Sequence, residues 1–105
     1  MEIESDLLAR LRSEHGDDLH KLEASEVSIV ARPPTNAEYR RFRAKTADER
    51  TRPDALEELA LSCLIHPSRA EFEKILQRKP ALADVFGAKL LEIAGITGEA
   101  DAKKL

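Results

Sequence analysis

The sequence predicts a mainly helical α+β fold, with about five helices and one β-hairpin near the N-terminus, over residues ~19–32. Most of the 105-residue chain repeats its apolar residues at spacings of three and four, which is typical of amphipathic helices. Between residues 19 and 32 the spacing changes to two and β-branched residues appear, which is typical of strands. The length suits one small domain, which we expect over residues 1–96, with a flexible C-terminal tail over 97–105.

A short first helix is predicted over residues 5–15. Leu7, Leu8 and Leu11 lie at helical spacing, and Gly16 is a natural residue for the position that follows a helix. The interpretation places the next turn of the chain directly after this glycine.

The hairpin is predicted from alternation. Val27, Ile29 and Ala31 occupy every second position, and residues 24–26 would form the turn that joins this strand to the preceding one. Pro33-Pro34 ends the second strand because proline has no N–H group to donate to a neighbouring strand.

The remaining helices are bounded by capping signals and prolines. Thr35 and Glu38 have the spacing of a capping box, which predicts a helix over residues 36–45 and then a polar loop over 46–52. Asp54 would cap a third helix. Its broad apolar stripe is predicted to extend through Ile65 to a stop at Pro67.

Two further helices complete the predicted fold. Ser68 and Glu71 resemble a second capping box, and Pro80 stops the helix that follows. The last helix is predicted from an apolar pattern that ends before Gly95. Gly87 lies inside this helix, where it indicates either the close approach of another helix or a weak point.

Charge is distributed unevenly along the chain, whose net charge is −3. Residues 32–52 hold seven basic and three acidic side chains, a net of +4, between two acidic segments. Three interpretations remain open: a solvated helix face, a surface that docks an acidic protein, or a contact with nucleic-acid phosphates. The acidic pI of about 5.6 disfavours nucleic acid.

No residue pattern predicts catalysis, a metal site or a cofactor. Cys63 and His66 are three apart, but a zinc site needs four ligands, and the chain has one cysteine and three histidines. Cys63 lies on the apolar stripe of the third helix, which favours packing in the core. The sequence therefore predicts a protein that is not an enzyme, has no catalytic residues and needs no cofactor.

The cysteine content and the N-terminal residues predict the cellular compartment. A single cysteine and an acidic N-terminus without an apolar signal segment indicate the cytoplasm. No stretch approaches the ~18 consecutive apolar residues of a membrane-spanning helix, so we expect no membrane partner.

Two stretches carry a resemblance to a known class of proteins. They are Val30-Ala31-Arg32-Pro33-Pro34-Thr35-Asn36-Ala37-Glu38-Tyr39, continuing to Phe42, and the proline-bounded helical segments from Pro67 to Gly95. With the strand before Arg32, they resemble small tail assembly chaperone-like proteins of long-tailed bacteriophages and prophages. The resemblance covers residues 19–95.

The resemblance implies a protein-binding function and no catalysis. Such chaperones coat the long helical tape measure protein, keep it soluble and help recruit tail tube subunits. It therefore implies a helical protein client, a tail tube partner and a location in the host cytoplasm. Self-association into a homo-oligomer is compatible with it.

The amphipathic pattern and the resemblance together predict a protein-binding surface. Its expected members are apolar positions that a single copy would leave unburied, together with four arginines that would steer acidic partners: Tyr39, Phe42, Leu61, Ile65, Phe72, Phe86, Leu90, Arg32, Arg40, Arg41 and Arg43. The alternative is a small nucleic-acid-binding regulator that uses the Arg-rich helix at 36–45.

Overall fold

The computed structural model describes residues 5–95 and 102–104, and it confirms the predicted fold class within them. Five α-helices and a three-stranded antiparallel sheet make up this part of the chain. In chain order the elements are α1 (Ser5–His15), β1 (His20–Ala24), β2 (Val27–Ala31), α2 (Asn36–Ala47), α3 (Ala55–Cys63), β3 (Leu64–His66), α4 (Arg69–Arg78) and α5 (Leu82–Ile93).

The predicted hairpin is present as β1 and β2. Ser25 and Glu26 join the strands with positive φ angles of 49° and 67°, which indicates a two-residue turn of the kind that matches strand twist. Ala24, predicted to lie in the turn, pairs with Val27 and is the last residue of β1. The sheet order is β1-β2-β3, so β2 is the central strand.

The third strand corrects the sequence prediction. The helix predicted to extend through Ile65 ends at Cys63, and Leu64–His66 pair with β2 instead. A register shift between Val30 and Ala31 accompanies this pairing. As a result Leu64 packs on the main core, while Ile65 packs against the opposite face of the sheet with Leu11 and Val30.

The segment between α2 and α3 is more ordered than predicted. Helix α2 continues to Ala47, and Arg52–Asp54 form a short 3-10 turn within the expected loop. Asp54 precedes α3, as predicted, but its side chain makes no capping hydrogen bond. Thr35 and Ser68 both accept a hydrogen bond from the amide three residues on. Only Thr35 and Glu38 complete a capping box, because Glu38 also accepts from the Thr35 N–H, whereas Ser68 makes the N-cap bond alone.

The main core lies between one face of the sheet and helices α3, α4 and α5. At Gly87 of α5, an added Cβ would lie 2.6 Å from the carbonyl oxygen of Leu56 in α3. The glycine is therefore required by the close approach of two helices, which is the first of its two predicted interpretations. None of the helices within residues 5–95 is long and apolar enough to cross a bilayer.

The core also corrects part of the predicted binding surface. Phe72 and Leu90 have no exposed surface, and Phe86 is 1% exposed. The rings of Phe72 and Phe86 pack with their centroids 6.1 Å apart. Because the chain has only four aromatic residues, it has few large side chains with which to fill its interior. A single copy of the chain therefore buries these three residues in its own core.

The predicted domain limit at residue 96 lies outside the described residues. The predicted tail at 97–105 also lies outside them, except for residues 102–104, which are exposed and form no regular element.

Candidate protein-binding groove

A charged pair joins three elements at one end of the site. Arg32 follows β2, and its two terminal nitrogens donate to the two carboxylate oxygens of Glu38 in α2, over 2.6 and 2.8 Å. Nη2 also donates to the carbonyl oxygen of Ser62, near the end of α3, at 2.8 Å. Glu38 Oε1 accepts a further bond from the Thr35 backbone N–H at 2.9 Å. The pair therefore fixes the start of α2 relative to β2 and α3.

This geometry determines the ionisation of both groups. The hydrogen bonds from Arg32 lower the pKa of Glu38 to about 2, against partial burial, and the bonds with Thr35 act in the same direction. The hydrogen bond to Glu38 raises the pKa of Arg32. Because each charge is matched by the other, Arg32 serves the local structure and is not a free cation for a partner.

Next to this pair, α2 and α3 enclose an open groove of about 230 Å³. Its apolar lining comes from Phe42 of α2 and from Leu59 and Leu61 of α3. Leu59 belongs to the buried core, whereas Phe42 and Leu61 are half-buried and keep part of their surface in the groove. The groove thus offers an apolar floor that one copy of the chain leaves accessible.

The rim of the groove is charged. Lys45 of α2 forms an ion pair with Glu58 of α3, and Arg69 at the start of α4 donates to Glu73 at 3.0 Å. Arg41 is exposed and lines the groove, and within residues 5–95 no acidic group pairs with it. Its guanidinium is therefore available to an acidic group that enters the groove.

Helix α2 itself contains no buried residue. Tyr39 and Phe42 lie side by side, with ring centroids 6.4 Å apart and planes inclined by 27°. Arg40 and Arg43 are exposed on the same helix but do not line the groove. The helix therefore presents a half-buried aromatic pair on one side and arginines to solvent.

The structure brings together only some of the predicted site residues. Arg41, Phe42 and Leu61 line the groove, Arg32 contacts it through Glu38, and Tyr39 packs beside Phe42. The others lie elsewhere: Arg40 and Arg43 on the solvent side of α2, Ile65 against α1, and Phe72, Phe86 and Leu90 in the core.

The predicted binding surface omits four charged residues that line the groove: Glu38, Lys45, Glu58 and Arg69. Lys45 is the last residue of the helix predicted over residues 36–45, and no sequence pattern assigns Glu58 a role in a site. These two residues are thirteen positions apart and meet only because α2 packs on α3. No local pattern in the sequence carries that information.

The cysteine beside the groove is not a reactive thiol. Cys63 has no exposed surface, and burial raises its pKa to about 11, with a further contribution from the Glu38 carboxylate. It packs in the main core, as its place on the apolar stripe predicts. Within residues 5–95 and 102–104, no group of three or more His, Cys, Asp or Glu side chains could hold a metal ion.

A comparison of the sequence with models of protein families identifies the family of this chain. A family model described as a domain of unknown function, DUF6848, matches residues 11–103. The chain belongs to the DUF6848 family. The matched residues include both α2 and α3, and therefore the whole groove of this DUF6848 domain.

A solved structure supports the fold of the domain. The uncharacterised protein rbstp2171 from Bacillus stearothermophilus is similar, with 21% identity and a TM-score of 0.75, over 91% of this chain and 99% of that one. The likeness shows a shared fold. A search of curated proteins gave no match for this chain.

Proposed function

We propose that this DUF6848 protein is a non-catalytic, protein-binding assembly chaperone that holds a helix of a client protein in the groove between α2 and α3. The observation that carries the proposal is an accessible apolar floor beside the guanidinium of Arg41, with which no acidic group of residues 5–95 pairs. An amphipathic helix with an acidic group beside its apolar stripe complements both features.

The size of the groove favours side chains of a protein over a small molecule. Its volume of about 230 Å³ is below the ~300–1,000 Å³ of ordinary small-molecule sites. It can take one or two apolar side chains from a helix that lies along α2 and α3. Phe42 and Leu61 would form the contacts that contribute most to affinity, because they are the half-buried apolar side chains of the lining.

The proposed client class comes from the resemblance to tail assembly chaperones. A tape measure-like protein is long and helical and offers many apolar helix faces, and a tail tube subunit would be the second partner. Both would be met in the host cytoplasm. A chaperone of this kind needs a surface that binds repeatedly and weakly, and a shallow groove on a small domain fits that need.

The test is co-expression with the long coiled protein encoded nearest to this gene. We expect the soluble fraction of the client to rise several-fold and a complex to elute in gel filtration. Arg41→Glu and Phe42→Ala should each weaken the complex by about tenfold or more. Arg43→Glu is the matched control, since it makes the same charge change on the solvent side of α2 and should have little effect.

Two results would overturn the proposal. One is a client whose solubility does not change and that forms no complex with the wild-type protein. The other is equal loss of binding in the Arg41 and Arg43 variants, together with a mobility shift of nucleic acid at low salt. That second result would favour the nucleic-acid-binding alternative, which uses the exposed arginines of α2 without the groove.

A further inference from the structure

Strand β1 lies at the edge of the sheet. It pairs with β2 along its whole length, from His20↔Ala31 to Ala24↔Val27, and within the described residues no strand pairs with its other side. An edge strand presents backbone groups that can pair with another chain.

The two-residue turn fixes which backbone groups point outward. In such a hairpin the closing pair, Ala24↔Val27, exchanges two backbone hydrogen bonds, and so does every second pair after it, including Leu22↔Ile29. The N–H and C=O groups of Lys21 and Glu23 therefore point away from β2. These two residues are the natural pairing positions of the edge.

The side chains of the same two residues carry opposite charges. Both are exposed and lie on the same face of the sheet, where Lys21 Nζ is 2.8 Å from Glu23 Oε1 within one chain. Their spacing makes the edge self-complementary, because an antiparallel copy reverses the order of the two charges.

We propose that β1 pairs antiparallel with β1 of a second copy of this chain, about a twofold axis at Leu22, to form a continuous six-stranded sheet. In this register Lys21 of each copy lies opposite Glu23 of the other, and the outward backbone groups of both residues form four hydrogen bonds. The two cross-strand ion pairs support the register.

Neighbouring registers are disfavoured by the same charges. An axis at Lys21 would place two lysines opposite each other, and an axis at Glu23 would place two glutamates opposite each other. Like charges directly opposite destabilise a strand pair. Charged residues on an edge strand also serve in other proteins to keep monomers apart. Variants that exchange the charges of Lys21 and Glu23 distinguish the two roles, because only a paired edge responds to which charges lie opposite each other.

The test measures mass in solution by sedimentation equilibrium and by light scattering after gel filtration. We expect the wild-type protein to reach twice the 11.7 kDa chain mass as its concentration rises. Lys21→Glu and Glu23→Lys should each weaken the dimer by about tenfold or more, because each places like charges opposite one another. The double variant with both substitutions should recover the wild-type dimer.

Lys74→Glu is the matched control, since it makes the same charge change on an exposed position of α4 and should leave the dimer unchanged. Circular dichroism and thermal unfolding would show that each variant is folded. A wild-type protein that stays monomeric at all concentrations would overturn the proposal. So would single variants that dimerise as well as wild type, or a double variant that does not recover. None of these readouts depends on client binding.

Discussion

Arg32 and Glu38 form a two-bond ion pair, at 2.6 and 2.8 Å, across the junction between the sheet and the start of α2. The pair also reaches the end of α3, through the hydrogen bond from Arg32 to the Ser62 carbonyl. The position of α2, and with it the shape of the groove, therefore depends on this charged contact as well as on apolar packing.

Glu38→Gln should lower stability by about 1–2 kcal/mol near neutral pH, less than the full pKa difference implies because Arg32 is partly solvated. The folded-state pKa of Glu38 is about 2 and its ordinary value is 4.5. The pair therefore stabilises fully above about pH 4.5, and this contribution is lost as the pH falls towards 2. Urea unfolding from pH 7 to pH 2 would show a smaller pH dependence in the variant.

Glu49→Gln is the control for that experiment, because it removes a carboxylate from an exposed position on the loop after α2. It should leave both stability and its pH dependence near wild type. Equal effects of the two substitutions would contradict the special role of the Arg32–Glu38 pair.

Gly87→Ala should destabilise the protein although alanine is the better helix former. The added Cβ would lie 2.6 Å from the Leu56 carbonyl oxygen and 3.0 Å from the Leu56 Cβ, so α5 would have to move away from α3. We expect a loss of about 1–3 kcal/mol, measured as a lower midpoint of thermal unfolding. Ala88→Val, at an exposed position of α5, should cost less, and a Gly87→Ala protein as stable as wild type would show that the helices can separate freely.

Cys63 should react with a thiol reagent only when the protein opens. Its side chain has no exposed surface and its pKa is raised to about 11, so little thiolate is accessible at pH 8. We expect labelling at least about a hundredfold slower than in denaturant. A cysteine introduced by Glu49→Cys, at an exposed position, should react rapidly in the same folded protein. Fast labelling of Cys63 itself would contradict its burial.

Ser25 should respond in opposite directions to two substitutions, because its φ angle is +49° in the hairpin turn. Ser25→Asn should stabilise by up to about 1 kcal/mol, since asparagine tolerates this conformation, whereas the β-branched side chain in Ser25→Val should destabilise. The carbonyl of Ser25 accepts a bond from Lys79, and neither substitution removes this backbone acceptor. Urea midpoints that shift in the same direction for both would refute the turn geometry.

Much of the fold follows from local patterns. Alternation at Val27, Ile29 and Ala31 predicts β2, and the capping signals at Thr35 and Ser68 predict where α2 and α4 begin. These predictions succeed because the physical cause, side-chain periodicity or a capping bond, lies within a few residues of the element it determines.

Strand β3 could not be predicted in the same way. Leu64 and Ile65 continue the apolar stripe of α3, so the local pattern favours a longer helix. They form a strand because β2 offers a pairing edge and because Ile65 can then pack with Leu11 on the opposite face of the sheet. Both causes lie far away in the sequence.

The residues of the candidate site are likewise predictable only where their cause is local in the sequence. Arg41 and Phe42 are predictable from the charge and apolar pattern of α2, but the Lys45–Glu58 pair depends on how α2 packs on α3. Phe72 and Phe86 were expected at the surface, because a periodic stripe does not say whether a neighbouring element of the same chain or another protein covers it.

The absence of any buried residue in α2 has a consequence for the opening of the native state. Polar contacts hold much of this helix in place, among them the Glu38–Arg32 and Lys45–Glu58 pairs and the bond from Thr51 to the Lys45 carbonyl. We therefore expect its free energy of local opening to be smaller than that of α3 and α5, whose buried faces meet at Gly87. We expect backbone amides of α2 to exchange with deuterium before those of the two central helices, and added salt to widen the difference because it screens ion pairs and leaves apolar contacts intact.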